Sequence, residues 1–162
     1  MDVTIIKGLR TKTGASIADC KTCLDEADGD IEKALEFLRK RGAEIARKKS
    51  DRETSEGYIG SYVHTNGKVA SLVALQCETD FVARNVAFQE LANNLAMQVT
   101  AMDPEYLRAE DAPKGKTISD NGIFLKQAFI KDETKTIAQL IEEKIQLLGE
   151  NIEIGEFTRI AL

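Results

Sequence analysis

The first 42 residues carry apolar side chains at the three- and four-residue spacing of short amphipathic helices. Ser16 stands three residues before Asp19, which is typical of a capped helix start, and Asp30 can cap the helix that follows. Gly42 is a suitable residue for the end of that helix. The apolar stripes of the three predicted helices are Val3, Ile6 and Leu9; Ile17, Cys20, Leu24 and Ala27; and Ile31, Ala34, Leu35 and Leu38. The pattern therefore predicts a compact three-helix bundle.

Beyond a polar stretch at 50–57, the apolar period changes from helical to alternating. Two strands, at 58–64 and 68–78, flank Asn66-Gly67, which is a strong hairpin signal. The second of these strands is apolar on both faces, so it needs cover on both sides.

Two further helices and a last strand are predicted in the remainder of the chain. The first helix presents these apolar residues at spacings of three and four: Phe88, Leu91, Leu95, Val99 and Met102. Thr136, with Gln139 three residues later, can cap the second helix. The last strand lies near 152–160. Its inward-facing residues change from even to odd positions across Gly155, which indicates a bulge. The order hairpin, helix, helix, strand is typical of an α+β fold.

Length and composition are those of a globular protein: 162 residues, of which 43% are apolar and 30% charged. We predict two domains, a three-helix module with a basic linker over 1–52 and an α+β core over 53–162. The net charge of −5 argues against a protein whose main task is to bind nucleic acid. Positive charge is concentrated in 39–52, but no aromatic residues are interleaved there, so we expect no direct contact with nucleic acid.

The expected compartment is the cytoplasm. No apolar stretch approaches the roughly 20 residues that a membrane span needs, so we expect no membrane contact. The acidic start, Met1-Asp2-Val3-Thr4, does not resemble a signal peptide. The three cysteines cannot all pair within one chain, which argues against a disulfide framework.

The residues that could carry catalysis are few. Cys20 and Cys23 form a C-x-x-C pair, but they lie within a predicted helix and Cys20 is on its apolar stripe, so core packing is the favoured interpretation. His64 is the single histidine and has no nucleophile pattern near it. No phosphate-binding glycine loop is present. We therefore expect no catalytic residue, no metal site, no cofactor and no nucleotide bound by the chain itself.

The most unusual segment runs from Cys77 to Arg84 and places an acid beside a large aromatic in a turn. Two interpretations stay open from the residues alone. Thr79 or Asp80 caps a helix while Phe81 folds into the core, or the segment protrudes as a binding tip.

This segment, Thr79-Asp80-Phe81-Val82-Ala83, resembles the signature of the elongation factor Ts family, the guanine-nucleotide exchange factors of bacterial translation. The predicted three-helix bundle is similar to the ubiquitin-associated-like module with which that family opens. The motifs that carry the N-terminal resemblance are Leu9-Arg10, Thr13-Gly14-Ala15, Asp19-Cys20-Lys21, Leu24-Asp25-Glu26-Ala27 and Gly29-Asp30. Two later motifs also match, Phe129-Ile130-Lys131-Asp132 before Lys135-Thr136, and Gly149-Glu150-Asn151-Ile152.

The resemblance implies that the chain binds elongation factor Tu in its GDP form and accelerates GDP release, so that GTP can bind. It implies a tip in which Phe81 wedges between helices of the partner's nucleotide domain and Asp80 lies near the surroundings of its Mg²⁺. The residues implied in the tip are Thr79, Asp80, Phe81 and Val82. The residues implied in docking of the N-terminal module on the same domain are Arg10, Gly14, Lys48 and Lys49.

This chain departs from the family in ways that bear on assembly. Long members carry a second core subdomain and a helical hairpin, and the sparse stretch 103–126 resembles what remains of them. Gly155 and Glu156 stand where members often have two arginines. Because half of the long core is missing and strand 68–78 is apolar on both faces, we expect a homodimer about a two-fold axis.

Two other classes of function compete with exchange. A ubiquitin-associated-like module is also found in ubiquitin-binding adaptors, which have no exchange activity. The C-x-x-C pair would suit an oxidoreductase. Neither class explains the segment 79–83.

Overall fold

The computed structural model describes residues 3–162, and contacts divide the chain into two compact units. The first unit holds the residues up to Arg52 together with Ile141–Asn151, and the second holds Glu53–Leu140 and Ile152–Leu162. Met1 and Asp2, which open the acidic start, lie outside the described residues. The units differ from the predicted domains by the single segment 141–151.

The first unit is built on three helices whose starts are capped as predicted. They are α1 (Val3–Thr13), α2 (Ile17–Glu26) and α3 (Ile31–Lys49). The Ser16 hydroxyl accepts the Asp19 N–H at 3.0 Å, and an Asp30 carboxylate oxygen accepts the Lys33 N–H at 3.2 Å. The helices enclose a core that includes Ile6, Leu9, Ala15, Cys20, Cys23, Leu24, Ala27, Ala34, Leu35 and Leu38.

Two details of the predicted bundle are wrong. Helix α3 does not end at Gly42 but continues to Lys49, because strong helix formers follow and Gly42 is buried in its interior. Val3, Ile17 and Ile31 are exposed rather than in the core, since each stands at the first position of a helix. Cys23, which the predicted stripe omitted, is fully buried.

The second unit contains a three-stranded antiparallel sheet in the order β1-β2-β5. Its strands are β1 (Glu56–Val63), β2 (Val69–Cys77) and β5 (Ile152–Ala161). The hairpin turn contains Gly67 at a φ of 68°, as the Asn-Gly signal predicts. The predicted bulge is confirmed, because Ala74 faces Glu156 while Leu75 faces Ile154, which leaves Gly155 as the extra residue.

Helix α5 (Val86–Met102) covers one face of this sheet. The buried residues at this interface include Val73, Leu75, Cys77, Phe88, Leu91, Leu95, Val99, Ile152 and Ile154. The approach is closest at Gly60, where an added Cβ would lie 2.1 Å from the Ala92 carbonyl oxygen. The opposite face of the sheet is bare, and Leu72 in its central strand is 48% exposed.

The stretch between α5 and β5 holds more regular structure than its sequence indicates. A small hairpin of β3 (Ala128–Phe129) and β4 (Asp132–Thr136), which was not predicted, precedes α6 (Ile137–Leu148). The capping of α6 is confirmed, because Thr136 and Gln139 each accept the other's backbone N–H, at 3.2 and 2.9 Å. The predicted α+β class, with a three-helix start and a small core, is confirmed.

Three short 3₁₀ turns lie within the sparse stretch 103–126, at Ala109–Asp111, Asp120–Gly122 and Phe124–Lys126. None of the helices within residues 3–162 has the length and apolar character that crossing a bilayer requires.

The contact at Gly60 makes a stability prediction. Gly60→Ala should lower the free energy of unfolding by about 1–3 kcal/mol, because the new methyl group meets helix backbone that cannot move aside cheaply. Gly8→Ala, inside α1 with nothing within 4 Å of the added atom, should instead raise it by roughly 0.5–1 kcal/mol. Urea denaturation followed by circular dichroism measures both. Equal stability of Gly60→Ala and wild type would contradict the close packing.

Candidate partner-binding site

The segment singled out by sequence forms a four-residue helix, α4 (Asp80–Ala83), between the end of β2 and the start of α5. Thr79 precedes it in extended backbone, and its side chain does not cap the helix. The Thr79 carbonyl accepts the Ala83 N–H at 3.2 Å, and the Asp80 carbonyl accepts the Arg84 N–H at 3.0 Å. The segment is thus a single helical turn.

Phe81 projects from this turn and is 84% exposed. The alternative that Phe81 folds into the core is therefore wrong. Ala83 is the buried residue of the turn, while Asp80 and Val82 are half-buried. Aromatic side chains that are exposed in the free protein and become buried on binding are typical anchors of protein interfaces.

Asp80 is paired with an arginine that the sequence analysis did not assign to the site. The Asp80 carboxylate lies 3.2 Å from the guanidinium of Arg84, whose side chain is 81% exposed. Pairs of this kind contribute little to stability in water. The turn therefore presents an aromatic ring, a carboxylate and a guanidinium together.

Two neighbouring side chains bond to the backbone of the turn. The Cys77 thiol donates to the Thr79 carbonyl at 3.2 Å, and the Gln89 amide donates to the Ala83 carbonyl at 3.2 Å. Sequence reasoning missed Gln89, because periodicity alone treats it as an ordinary polar position beside Phe88. No local signal in the sequence distinguishes it from the polar residues that follow.

The N-terminal candidates differ in exposure. Arg10 is exposed in the last turn of α1. Gly14 has a φ of 70° and is half-buried, and an added Cβ would lie 3.1 Å from the Leu147 Cβ on α6. Gly14 therefore allows the backbone turn and the close approach of α6, and it offers little surface to a partner.

A groove of about 300 Å³ runs beside Arg10 within the first unit. It is lined by Arg10, Thr11, Lys12, Thr13, Gly14, Glu143, Lys144 and Leu147. Three of these residues are cationic and one is acidic, so the groove has a positive balance. Its α6 wall was missed, because no periodicity relates positions so far apart in the chain.

The two adjacent lysines at the end of α3 are not equivalent. Lys48 is exposed, whereas Lys49 is half-buried and its ammonium donates to the Gly149 carbonyl at the end of α6. A cation at that position satisfies a carbonyl left free by the helix end. Lys48 is the one of the pair whose charge faces solvent.

The side chains considered for catalysis stand in unsuitable surroundings. Cys20 and Cys23 are both fully buried, and burial raises the pKa of each thiol, which disfavours the reactive thiolate. His64 is exposed, with the Tyr62 hydroxyl 3.4 Å from its Nδ1. Within residues 3–162, no group of three or more His, Cys, Asp or Glu side chains is arranged to hold a metal ion.

Comparison with known proteins identifies close relatives. The family model described as Elongation factor TS matches residues 36–124, which include the turn at 79–83. The chain is 43% identical over 188 aligned positions to Elongation factor Ts of Thermotoga maritima, covering 98% of this chain and 94% of that protein. It is 44% identical over 189 positions to Elongation factor Ts of Oleidesulfovibrio alaskensis, covering 98% and 96%.

A third relative, Elongation factor Ts of Thermosipho melanesiensis, is 41% identical over 190 positions, covering 98% of this chain and 96% of the relative. Each alignment is longer than the 162 residues of this chain, so the relatives carry residues opposite gaps in it. The match extends over nearly the whole of both sequences. The chain therefore belongs to the elongation factor Ts family and is a translation elongation factor.

Proposed function

We propose that this chain binds elongation factor Tu in its GDP-bound form and speeds the release of GDP, after which GTP binds. The observation that carries the proposal is the exposed ring of Phe81 on a turn anchored between β2 and α5. Family membership supports the same role. The proposed place of action is the cytoplasm, where bacterial translation occurs.

The mechanism is one of coupled binding. A protein can lower the affinity of a GTPase for its nucleotide only if it binds the nucleotide-free state more tightly. The nucleotide then lowers the affinity of the GTPase for the protein by the same factor. In GTPases the phosphates are held by a P-loop and by Mg²⁺. A tip that disturbs this region weakens the hold on GDP without changing a covalent bond, so the exchange factor needs no catalytic residue.

Within the tip, the residues have different tasks. Phe81 supplies the wedge, since its ring can leave water and enter a gap between helices of the partner. Asp80 approaches the surroundings of the Mg²⁺ and must exchange its pairing with Arg84 for contacts to the partner. Thr79 and Val82 complete the contact surface beside them.

The N-terminal module supplies docking contacts to the same nucleotide domain. Arg10 and Lys48 are exposed and can pair with acidic groups of the partner. Gly14 shapes the turn beside the positive groove, while Lys49 contributes only if it gives up its bond to Gly149. Exposed charges of this type raise the association rate and are sensitive to salt.

The bare face of the sheet supports a homodimer. Four apolar side chains on this face each expose about half to two-thirds of their area. The exposed fractions are 57% for Ile59, 66% for Val63, 48% for Leu72 and 67% for Ile160. A patch of this kind on a soluble protein commonly marks an interface. A two-fold axis would let each copy cover the same face of the other.

The first prediction from these proposals concerns the wedge. Phe81→Ala should slow stimulated release of fluorescent GDP from elongation factor Tu by about thirtyfold or more, since a buried aromatic anchor commonly contributes 2 kcal/mol or more. Asp80→Ala should slow it less. Met102→Ala, which truncates an exposed residue at the far end of α5, is the matched control and should leave the rate unchanged. Wild-type rates from a folded Phe81→Ala protein would refute the assignment.

Docking through the N-terminal module makes a separate prediction. The double variant Arg10→Glu/Lys48→Glu should bind elongation factor Tu on the order of tenfold more weakly at low salt, with a smaller difference at high salt. Calorimetry at two ionic strengths measures this, and Lys68→Glu at the hairpin turn is the charge control. An unchanged affinity of the double variant would exclude these two residues from the docking surface.

The homodimer is tested by sedimentation equilibrium in reducing buffer at micromolar concentration. The expected mass is that of two chains, and Leu72→Lys should yield one chain because it places a charge at the centre of the bare face. Ile17→Lys, at an exposed position on α2, should remain dimeric. A single-chain mass for the wild type refutes the dimer.

A further inference from the structure

The position of the tip depends on groups outside it. The first four N–H groups and the last four carbonyls of any α-helix lack partners within the helix. In a helix of four residues such as α4, most backbone groups fall in these classes. The surroundings therefore determine where α4 stands and where Phe81 points.

The start of the turn is bonded to the sheet. The Cys77 thiol donates to the Thr79 carbonyl at 3.2 Å, and the same carbonyl accepts the Ala83 N–H. Cys77 is fully buried in the central strand, where it faces Glu56 on β1 and Ile152 on β5. The thiol thus connects the turn to the central strand of the sheet.

The end of the turn is bonded to α5. The Gln89 amide donates to the Ala83 carbonyl at 3.2 Å, across six positions of the chain. Gln89 stands in the first turns of α5, whose start is capped by Asn85 through the Ala87 N–H at 2.8 Å. The amide thus joins the last residue of α4 to a helix that is itself anchored on the sheet.

We infer that Cys77 and Gln89 are positioning residues of the exchange tip, which hold the two ends of α4 so that Phe81 is presented in one orientation before the partner binds. Because the Phe81 ring is 84% exposed, packing cannot fix it, and its direction follows from the backbone beneath it. A tip already ordered in the free protein avoids the entropy loss of ordering it in the complex. This inference rests on the exchange function proposed above.

The main test compares exchange rates. Gln89→Ala should lower the maximal rate of stimulated GDP release about fivefold, the effect of losing one partly buried hydrogen bond. Gln89→Glu, which keeps the side-chain length but has no donor as a carboxylate, should do the same. Glu90→Ala, at the exposed next position of α5, should match the wild type. Cys77→Ala should also slow exchange, and Cys77→Ser, which restores a donor, should recover part of the rate.

A double variant separates positioning from a general loss of structure. If Gln89 acts through Phe81, then Gln89→Ala should change nothing further in a Phe81→Ala background. A merely structural role would reduce the rate by the same factor in both backgrounds. Circular dichroism verifies that each variant is folded.

A second readout does not depend on exchange. The chain has three tyrosines but no tryptophan, so Phe81→Trp introduces a single indole at the tip, which can be excited selectively. Adding Gln89→Ala to this variant should increase the nanosecond mobility of the indole in time-resolved anisotropy, and adding Glu90→Ala should not. Unchanged mobility with Gln89→Ala overturns the inference.

The two proposals fail in distinguishable ways. If Phe81→Ala slows exchange while Gln89→Ala does not, positioning is wrong and the exchange tip stands. If Phe81→Ala exchanges like the wild type, the exchange tip is wrong. The anisotropy measurement then still decides whether Gln89 and Cys77 fix the orientation of the turn.

Discussion

The close approach of α5 to the sheet at Gly60 is the contact on which the second unit depends. A side chain at this position would collide with helix backbone, so the absence of one lets α5 lie directly on β1 and β2. The chain must then pass from the end of β2 to the start of α5 within 78–85. That short connection forms the α4 turn, while the opposite face of the sheet receives no cover from α5. The tip and the bare face therefore have a common origin.

The α4 turn illustrates how an exposed element can be ordered without a core of its own. Its single buried residue is Ala83, and its largest side chain, Phe81, contacts mainly solvent. Hydrogen bonds from the neighbouring strand and helix take the place of packing. This arrangement leaves the aromatic ring exposed, whereas burial would stabilise the fold but remove the ring from the surface.

Local signals in the sequence predicted most of the fold, and non-local contacts account for the errors. The caps at Ser16 and Asp30 and the bulge at Gly155 each depend on a few adjacent residues, and all three are confirmed. Gly42 was misinterpreted because its burial inside α3 depends on tertiary packing. The pairing of α6 with the N-terminal helices and the bond from Gln89 also depend on the folded chain. The motif of the tip is specific enough to be recognised in the sequence, whereas the exposure of Phe81 is visible only in the structure.

The proposed exchange function requires that this protein bind nucleotide-free elongation factor Tu more tightly than the GDP-loaded form. Calorimetry can compare its dissociation constants for the nucleotide-free and the Mg²⁺·GDP-loaded forms, and separately measure how much it weakens GDP binding. The proposed coupling predicts a preference for the nucleotide-free form of roughly 5- to 150-fold or more, equal to the loss of GDP affinity. It also predicts that this preference shrinks in the Phe81→Ala protein. Equal affinity for the two forms of elongation factor Tu would refute the proposed exchange function.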